Sequence, residues 1–327
     1  MRAFVITESD DSLSLAVKDV ESTGEAEDLL VAVDYSGINF KDAMVAAPKS
    51  RVRRVASLIG GVDAAGTVER SSDPALPVGT RVAVHGGTLG VSRDGGFAQS
   101  VYSPARYVTA LPDSISTRVA MIVGTAGFTA MESLLALEDR GLASDAEVLV
   151  TGATGGVGSQ AVSFLAARGY RAVASTGTAS ESQWLKERGA ARVIGRDEIA
   201  DNPGRVLASE TWDGAIDCVG GDTLAQILRS LRYGGAVAAS GLVGSAELAT
   251  TVYPFITRSV ALLGIDSVEA STQTRARVWA AIGEVASRVD FEALAEREIR
   301  LEALASALDV VRNGNTRGRI LVNPTPE

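Results

Sequence analysis

Histidine and cysteine each occur once in the 327 residues, as His85 and Cys218. A single cysteine excludes an internal disulfide and fits a reducing compartment. Zinc sites draw on Cys, His, Asp and Glu, structural ones on several cysteines, so no metal ligands are assigned. A serine or cysteine triad would have to use His85, and no G-x-S-x-G elbow is present. Basic residues are outnumbered, 31 Lys and Arg against 40 Asp and Glu, for a net charge of −9, which argues against nucleic acid as a partner. No apolar run reaches the ~18–20 residues of a membrane span, and the opening M-R-A-F-V-I-T-E-S-D-D lacks the apolar core of a signal peptide. A cytoplasmic location without a membrane partner is expected.

What the chain does contain is concentrated in residues 148–158, V-L-V-T-G-A-T-G-G-V-G. The apolar run Val148, Leu149, Val150 reads as a buried strand. A turn with Gly152, Gly155, Gly156 and Gly158 follows, and residues 160–168 carry apolar positions at helical spacing. Strand, glycine turn and helix set a helix N-terminus, with its bare N–H groups and positive dipole end, against a pyrophosphate. The spacing here is G-x-x-G-x-x-G rather than G-x-G-x-x-G, so the surrounding βαβ pattern has to support the reading. A ligand-free strand-to-helix turn is the alternative. The pattern points to a dinucleotide and so to a redox enzyme with a small-molecule substrate.

Two regimes divide the chain. Short β patterns fill the first part, at residues 3–7, 29–35, 66–69, 81–85 and 96–101, and suggest a partly closed β domain. From about residue 120 strands and helices alternate: helix 120–137, strand 148–150, helix 159–167, strand 171–175, helix 181–188, strand 192–194, strand 214–217, helix 223–231, and strands 236–239 and 260–264. This is the doubly wound α/β signature. Amphipathic helices at 277–289 and 301–311 and a last strand at 319–322 follow; that strand is expected to return to the N-terminal β domain. The expected division is 1–119 with 270–327 as the β-rich catalytic and substrate domain, and 120–269 as the dinucleotide-binding domain, with a cleft between two lobes.

The second strand of the βαβ unit ends Ala174-Ser175-Thr176-Gly177-Thr178. NAD-binding units place an acid there for the ribose 2′-OH. Small hydroxyl residues instead leave room for a 2′-phosphate and can donate to it, which favours NADP(H). Arg196 and Lys186 are the candidate cations, Lys186 reading better as part of a solvated helix face. The alternative for Thr176 and Thr178 is an ordinary polar loop. Cys218, in A-I-D-C-V-G-G, reads as a small apolar packing group.

The chain resembles the zinc-free quinone-oxidoreductase-like branch of the medium-chain dehydrogenase/reductase superfamily, and within it the acrylyl-CoA reductase group. The resemblance rests on G-I-N-F-K-D-A (37–43), D-A-A-G-T-V (63–68), G-T-A-G-F-T-A-M (124–131), T-G-A-T-G-G-V-G-S (151–159), Y-G-G-A-V-A-A-S-G-L (233–242), T-T-V-Y-P-F-I (250–256), L-L-G-I-D-S-V (262–268) and G-R-I-L-V (318–322). Zinc enzymes of the superfamily carry G-H-E-x-x-G where this chain has Gly61-Val62-Asp63-Ala64-Ala65-Gly66. The resemblance implies a GroES-like β-rich domain plus a Rossmann domain, NADPH as hydride donor, and a homodimer. It implies pyrophosphate contacts at Thr154, Gly155, Gly156 and Val157. Thr176, Gly177 and Thr178 would meet the adenosine phosphate, Arg196, Leu242, Ile256, Ser267 and Asn315 would line the remainder, and Thr125 would lie near the nicotinamide. Two positions depart from the group. Thr178 stands where relatives have an arginine that pairs with phosphate. Phe40 stands where they have a tyrosine; enoyl-reductase modules of polyketide synthases share the N-F.

On this resemblance, hydride passes from NADPH to the β-carbon of an α,β-unsaturated carbonyl compound. The developing oxyanion needs a donor, a backbone N–H or the coenzyme ribose hydroxyl. Asn39 is expected to orient substrate or ribose, and Phe40 to pack on a ring. Solvent or Lys41 protonates the α-carbon, while Asp42 anchors Lys41 or a backbone turn. The basic run of residues 49–54 holds Arg51, Arg53 and Arg54, which either bind the phosphates of a CoA thioester or form a solvated loop. His85 either reaches the cleft or is structural. A quinone reductase is the alternative activity. A cofactor-binding protein without chemistry is the alternative of another class.

Overall fold

Alternating apolar and polar residues make the N-terminal stretch a set of β-strands. The computed structural model describes residues 1–9, 12–21, 23–25, 28–199 and 205–325. Contacts divide the chain into two units: Met1–Thr125, Ser267–Ala286 and Phe291–Glu327 form one, Ala126–Asp266 and Ser287–Asp290 the other.

The first stretch runs β1 (Arg2–Ser9), β2 (Ser12–Asp19), β3 (Leu29–Gly37), α1 (Phe40–Val45), β4 (Ser57–Ile59), β5 (Asp63–Arg70), β6 (Arg81–His85), β7 (Ser100–Ser103) and β8 (Val108–Ala110), then α2 (Thr117–Asp139). β1 lies between β2 and β4 in a three-stranded antiparallel sheet. β3, β5, β6 and β8 follow one another to one edge of a seven-stranded sheet, with β7 paired to β3. Inward residues Val31, Val33, Val68, Val82, Val84 and Val101 make one core. Each contributes ~1.5–3 kcal/mol by leaving water. The strand expected at 96–101 starts only at Ser100. Before it, Gly95, Gly96 and Phe97 donate to Ile59 O, Gly61 O and Gly60 O. Residues 97–99 meet β1 through Phe4 N–H to Phe97 O, Gln99 N–H to Arg2 O and an isolated bridge of Ala98 with Ala3, so this stretch is shared between the 59–61 turn and β1 without a continuous ladder.

α2 carries the chain from one unit into the other. Its backbone breaks at Gly124 (φ 51°, ψ −163°), and the crossing follows that break rather than the helix start near residue 119. By length and composition α2 is apolar enough to cross a membrane, which a count of uninterrupted apolar residues does not register; 78% of its most apolar window is buried, as in a core helix.

The second unit alternates β9 (Glu147–Val150), α3 (Gly156–Ala167), β10 (Arg171–Ser175), α4 (Ser182–Glu187), β11 (Arg192–Ile194), β12 (Trp212–Asp217), α5 (Gly221–Ser230), β13 (Leu231–Ala239), α6 (Tyr253–Arg258) and β14 (Ala261–Gly264). The sheet is wholly parallel in the order β11-β10-β9-β12-β13-β14. That order reverses direction between β9 and β12, the switch point at which such sheets bind ligands. Val148, Leu149 and Val150 are fully buried, as expected of a strand covered on both faces.

The tail returns to the first unit as α7 (Thr272–Val285), β15 (Ala295–Arg300), α8 (Leu304–Arg312) and β16 (Arg319–Asn323). β16 pairs antiparallel with β3, Leu321 opposite Gly37, so the last strand rejoins the N-terminal sheet as its position in sequence predicts. α7 starts earlier than residue 277 because Ser271 caps it, its hydroxyl accepting from Thr274 N–H at 3.1 Å.

Candidate active site

Asn39 is the N-cap of α1, and Asp42 closes the cap by accepting Asn39 N–H at 2.8 Å. The other Asp42 oxygen accepts Val62 N–H at 2.9 Å, which clips this one-turn helix to the start of β5. Asp42 is therefore the anchor of a backbone turn. Lys41, one residue before it, lines a pocket of about 40 Å³ together with Asn39 and Thr125. Val62, Leu89 and Val91 supply its apolar wall, and Gly86, Gly87, Ser267 and Val268 complete it. Phe40 is 43% exposed and is not part of that lining.

Beneath the pocket lies a buried polar cluster centred on Asp63, the first residue of β5. Its carboxylate accepts from Thr125 N (2.8 Å), the Thr125 hydroxyl and Asn39 Nδ2 (2.7 Å), and faces Arg319 Nη2 at 3.5 Å. Arg319 also donates to Ile38 O at 2.8 Å, Asn39 Oδ1 at 3.0 Å and Ile122 O at 3.2 Å. Asp63 and Arg319 are each at most 3% exposed, and a buried pair of this kind is tolerable only with its remaining donors and acceptors satisfied. Gly124 makes the approach possible. A Cβ there would lie 2.5 Å from Arg319 Nη2 and 2.6 Å from Asp63 Oδ2, at a φ of +51°.

Two consequences follow for chemistry. The Asn39 amide has its nitrogen on Asp63 and its oxygen on Arg319, so it is turned inward and does not orient a substrate, contrary to the sequence expectation. The Thr125 hydroxyl spends its proton on Asp63, so it meets any ligand as an acceptor. Burial pushes Asp42 up to about 7, with the Asp63 charge adding to the rise; the N–H donors of Asn39 and Val62 and the Arg319 charge oppose it. Burial also pulls Arg319 below its ordinary value, against the attraction of Asp63 and Asp42.

The basic run separates into two kinds of residue. Arg53 is 7% exposed; it donates to Val45 O and pairs with Glu8. Glu8 is held below the usual carboxylate range, first by the Lys49 N–H and then by Arg53. Arg53 thus braces its loop and is withdrawn as a phosphate ligand. Arg51 and Arg54 remain exposed, and Arg54 borders, with Lys49, a groove of about 610 Å³. His85 is fully buried and receives Arg275 Nη1 on Nδ1 at 2.9 Å. Burial and then the Arg275 charge hold it well below 6.5. It is a structural imidazole, so its assignment to substrate is also withdrawn.

In the second unit, Gly155 is the N-cap of the twelve-residue α3, with no side chain occupying the cap and no acid in the first turn. Thr154, Gly155, Gly156 and Val157 are half-buried there, and the first-turn N–H groups lack intrahelical partners. The neighbouring loops are braced by Asp217 at the end of β12. It accepts Thr151 Oγ1 at 2.6 Å and Gly220 N at 2.8 Å, and Thr151 Oγ1 in turn accepts Cys218 N at 3.0 Å. Cys218, half-buried after β12, has its thiol pushed up to about 12 by burial and then by Asp217. It is protonated at neutral pH.

At the tip of β10, Thr176 is buried and its hydroxyl accepts Thr178 N–H at 3.0 Å. Gly177 and Thr178 are exposed. Arg196, also exposed, lies against the same tip: a Cβ on Gly177 would be 2.6 Å from its Cζ. Lys186 is on the exposed face of α4. Leu242 and Ile256 are 61% and 72% exposed, Asn315 is exposed in the turn after α8, and Ser267 is buried. Sequence reasoning did not single out Asp217 or Arg275. For Asp63 and Arg319 a signal was present: each is a charged residue leading directly into an apolar stretch, Ala64-Ala65 and Ile320-Leu321-Val322, and a charge buried there needs a partner. No group of three His, Cys, Asp or Glu among the described residues is placed to hold a metal ion.

Comparison with known proteins places these features in a family. Residues 25–113 match the alcohol dehydrogenase GroES-like domain and residues 156–283 the zinc-binding dehydrogenase domain. The protein YhfP of Bacillus subtilis, assigned as a quinone oxidoreductase, is 43% identical over 95% of both chains. The acrylyl-CoA reductase AcuI of Ruegeria pomeroyi is 40% identical over 98% of both. Among solved structures, the yhdH oxidoreductase of Salmonella enterica in complex with NADP superposes with a TM-score of 0.94 at 40% identity, covering 99% of this chain and 100% of that one.

Proposed function

Because the chain belongs to the zinc-free quinone-oxidoreductase-like branch of the medium-chain dehydrogenase/reductase superfamily, we propose that it is an NADPH-dependent reductase of the C=C bond in short α,β-unsaturated carbonyl compounds, acyl-CoA thioesters among them. The residues fit the coenzyme. The uncapped first turn of α3, at Thr154, Gly155, Gly156 and Val157, suits a pyrophosphate. Thr176, Gly177 and Thr178 with Arg196 suit a 2′-phosphate, and Arg196 stands in for the arginine that Thr178 replaces. Leu242, Ile256, Ser267 and Asn315 are assigned to the remaining coenzyme contacts. The single observation that carries the reading is the Arg196 guanidinium against Gly177, at the strand tip where NAD-binding units carry an acid.

NADPH, when bound, supplies the hydride. This chain's own residues bind, orient and deliver a proton. Thr125, its hydroxyl proton held by Asp63, accepts a hydrogen bond from the amide or hydroxyl of a bound group. Lys41 is the titratable side chain in the pocket lining. It carries the proton that the α-carbon takes and, as a cation, favours the oxyanion that precedes this step. Phe40 has no proton to give. Asn39 acts through Asp63 and Arg319, keeping the Thr125 and α1 backbone in register. The apolar wall of Val62, Leu89 and Val91 beside Lys41 suits an unsaturated acyl chain, and the AcuI relative favours the thioester. The quinone reading retains the support of the YhfP relative.

A cytoplasmic homodimer is part of the same reading. The single cysteine suits a reducing compartment. β14 is the outer strand of its sheet, with Leu262 on it and Val252 and Tyr253 before it 38–64% exposed. An exposed edge of this kind is an aggregation hazard unless a second chain covers it.

The test is oxidation of NADPH and NADH with acrylyl-CoA, a small enone and a benzoquinone. NADPH with acrylyl-CoA is expected to exceed the quinone by at least about tenfold in kcat/KM, a difference of roughly 1.4 kcal/mol in the barrier. Replacing Arg51 and Arg54 together by Ala, with Arg53 kept, should raise KM for acrylyl-CoA and leave that for the enone. A well-folded chain that takes up neither reduced coenzyme overturns the proposal.

A further inference from the structure

Arg275 is fully buried on α7, and all five of its N–H donors are engaged. Nε donates to Ala270 O at 3.0 Å. Nη1 donates to His85 O at 2.8 Å and to His85 Nδ1 at 2.9 Å. Nη2 donates to Val268 O at 2.9 Å and to Ser267 O at 3.4 Å. Its acceptors therefore come from two places far apart in sequence: the end of β6, and residues 267–270, where the chain re-enters the first unit. The same two segments supply Gly86, Gly87, Ser267 and Val268 to the pocket wall. Gly87 N–H closes the join by donating to Val268 O at 3.0 Å. Gly86 must be a glycine here: at φ +98° a Cβ would lie 2.3 Å from Arg275 Nη2 and 2.6 Å from Val268 O.

We propose that Arg275 is a positioning residue that joins the end of β6 to the re-entering segment and so sets the width of the reaction pocket, with His85 as a fixed neutral imidazole that accepts on Nδ1. The assignment of this pocket to substrate rests on the function proposed above; the clamp itself does not. An arginine suits the role because its planar fork reaches several acceptors at once, whereas a lysine offers one ammonium point. The chemistry at His85 follows from the donor. A guanidinium has protons only, so the ring nitrogen it meets most closely presents its lone pair; Nη1 is 2.9 Å from Nδ1 against 3.4 Å from Nε2, which leaves the ring proton on Nε2. The groups around the ring agree with a neutral state: Arg275 and Trp279 from α7, with the Trp279 ring 6.4 Å away, and Asp63 opposite it on β5, carrying its own ties to Thr125, Asn39 and Arg319. The Tyr107 ring stands 5.5 Å from the Arg275 guanidinium carbon.

His85 is the sole histidine of the chain, so its ring nitrogens give an unambiguous ¹⁵N NMR signature. In the wild-type protein the ring is expected as the Nε2–H tautomer throughout about pH 5.5–8, below and above the ordinary histidine value. Arg275→Lys is expected to keep the fold, to alter the Nδ1 shift and to lower kcat/KM about 10–100-fold, because ~1 Å of misplacement costs on that order. In Arg275→Ala, added guanidinium ion should restore part of kcat by refilling the site. Wild-type His85 titrating at its ordinary value, or as the Nδ1–H tautomer, overturns the clamp even if no Arg275 variant folds. Wild-type kinetic constants in Arg275→Lys overturn its role in the pocket. If the wild type reduces none of the substrates, the proposed function fails while the tautomer still decides the clamp.

Discussion

Asp42 offers a sharp test of the buried cluster beneath the pocket. Asp63 and Arg319 balance one another at 3.5 Å, so a second carboxylate in its charged form leaves the cluster with an uncompensated negative charge. Burial first, and the Asp63 charge after it, raise Asp42 from 3.8 to about 7. A carboxyl with a raised native value holds its proton in the folded state while the unfolded chain has released it. Its contribution to stability is therefore complete below 3.8 and is lost as pH rises through 7. Between about pH 5.5 and 8.5 the native group ionises at 7, so the loss amounts to roughly 1.5 pH units at ~1.36 kcal/mol each, about 2 kcal/mol. Asp42→Asn cannot titrate. Its NH₂ would also face one of the two N–H donors of Asn39 and Val62 that the carboxyl now accepts, a mismatch of about 1–3 kcal/mol. Urea unfolding of both proteins across this range should show the variant less stable at about pH 5.5, and the gap narrowing by about 2 kcal/mol by about pH 8.5. A gap that stays constant within ~0.5 kcal/mol, or widens with pH, would falsify the account of the cluster.

Gly124→Ala should cost ~2–4 kcal/mol, since the new methyl meets Arg319 and Asp63 at 2.5 and 2.6 Å in a left-handed backbone; denaturant unfolding measures it, and an unchanged midpoint refutes the close approach. Arg196→Ala should weaken NADPH binding about tenfold, the loss of one exposed charge-assisted contact, and leave NADH within about twofold by fluorescence titration. Equal weakening of both coenzymes would show that the guanidinium does not read the 2′-phosphate.

The parallel sheet was readable because its strands are buried on both faces and its helices are amphipathic, so type and order appear directly in the pattern of apolar residues. Arg171–Ser175 and Arg192–Ile194 have the bounds expected of them. Edge elements were not readable for the opposite reason. β15, A-E-R-E-I-R, has four charged residues in six, and its pairing partner β16 supplies the apolar face. The one-turn α1 has no periodicity to detect and stands on its Asn39–Asp42 cap and the Val62 clip.

The site shows where motif reading stops. Blocks of sequence identify which residues gather, but the role of a side chain depends on what its hydrogen-bonding atoms already hold. Asn39 and Arg53 belong to blocks that suggest ligand contact, yet both spend their polar atoms on partners distant in sequence, Asn39 on Asp63 and Arg319, Arg53 on Glu8 and Val45. Lys41 and Arg196 are left facing the pocket and the strand tip. The distinction turns on desolvation. A buried polar group pays for its burial only through bonds already made, and those bonds remove it from the set that can recognise a ligand. Partner identity arises from chain return across some 280 residues in the case of Asn39 and Arg319; the separation of positioning residues from contacting ones therefore required the fold.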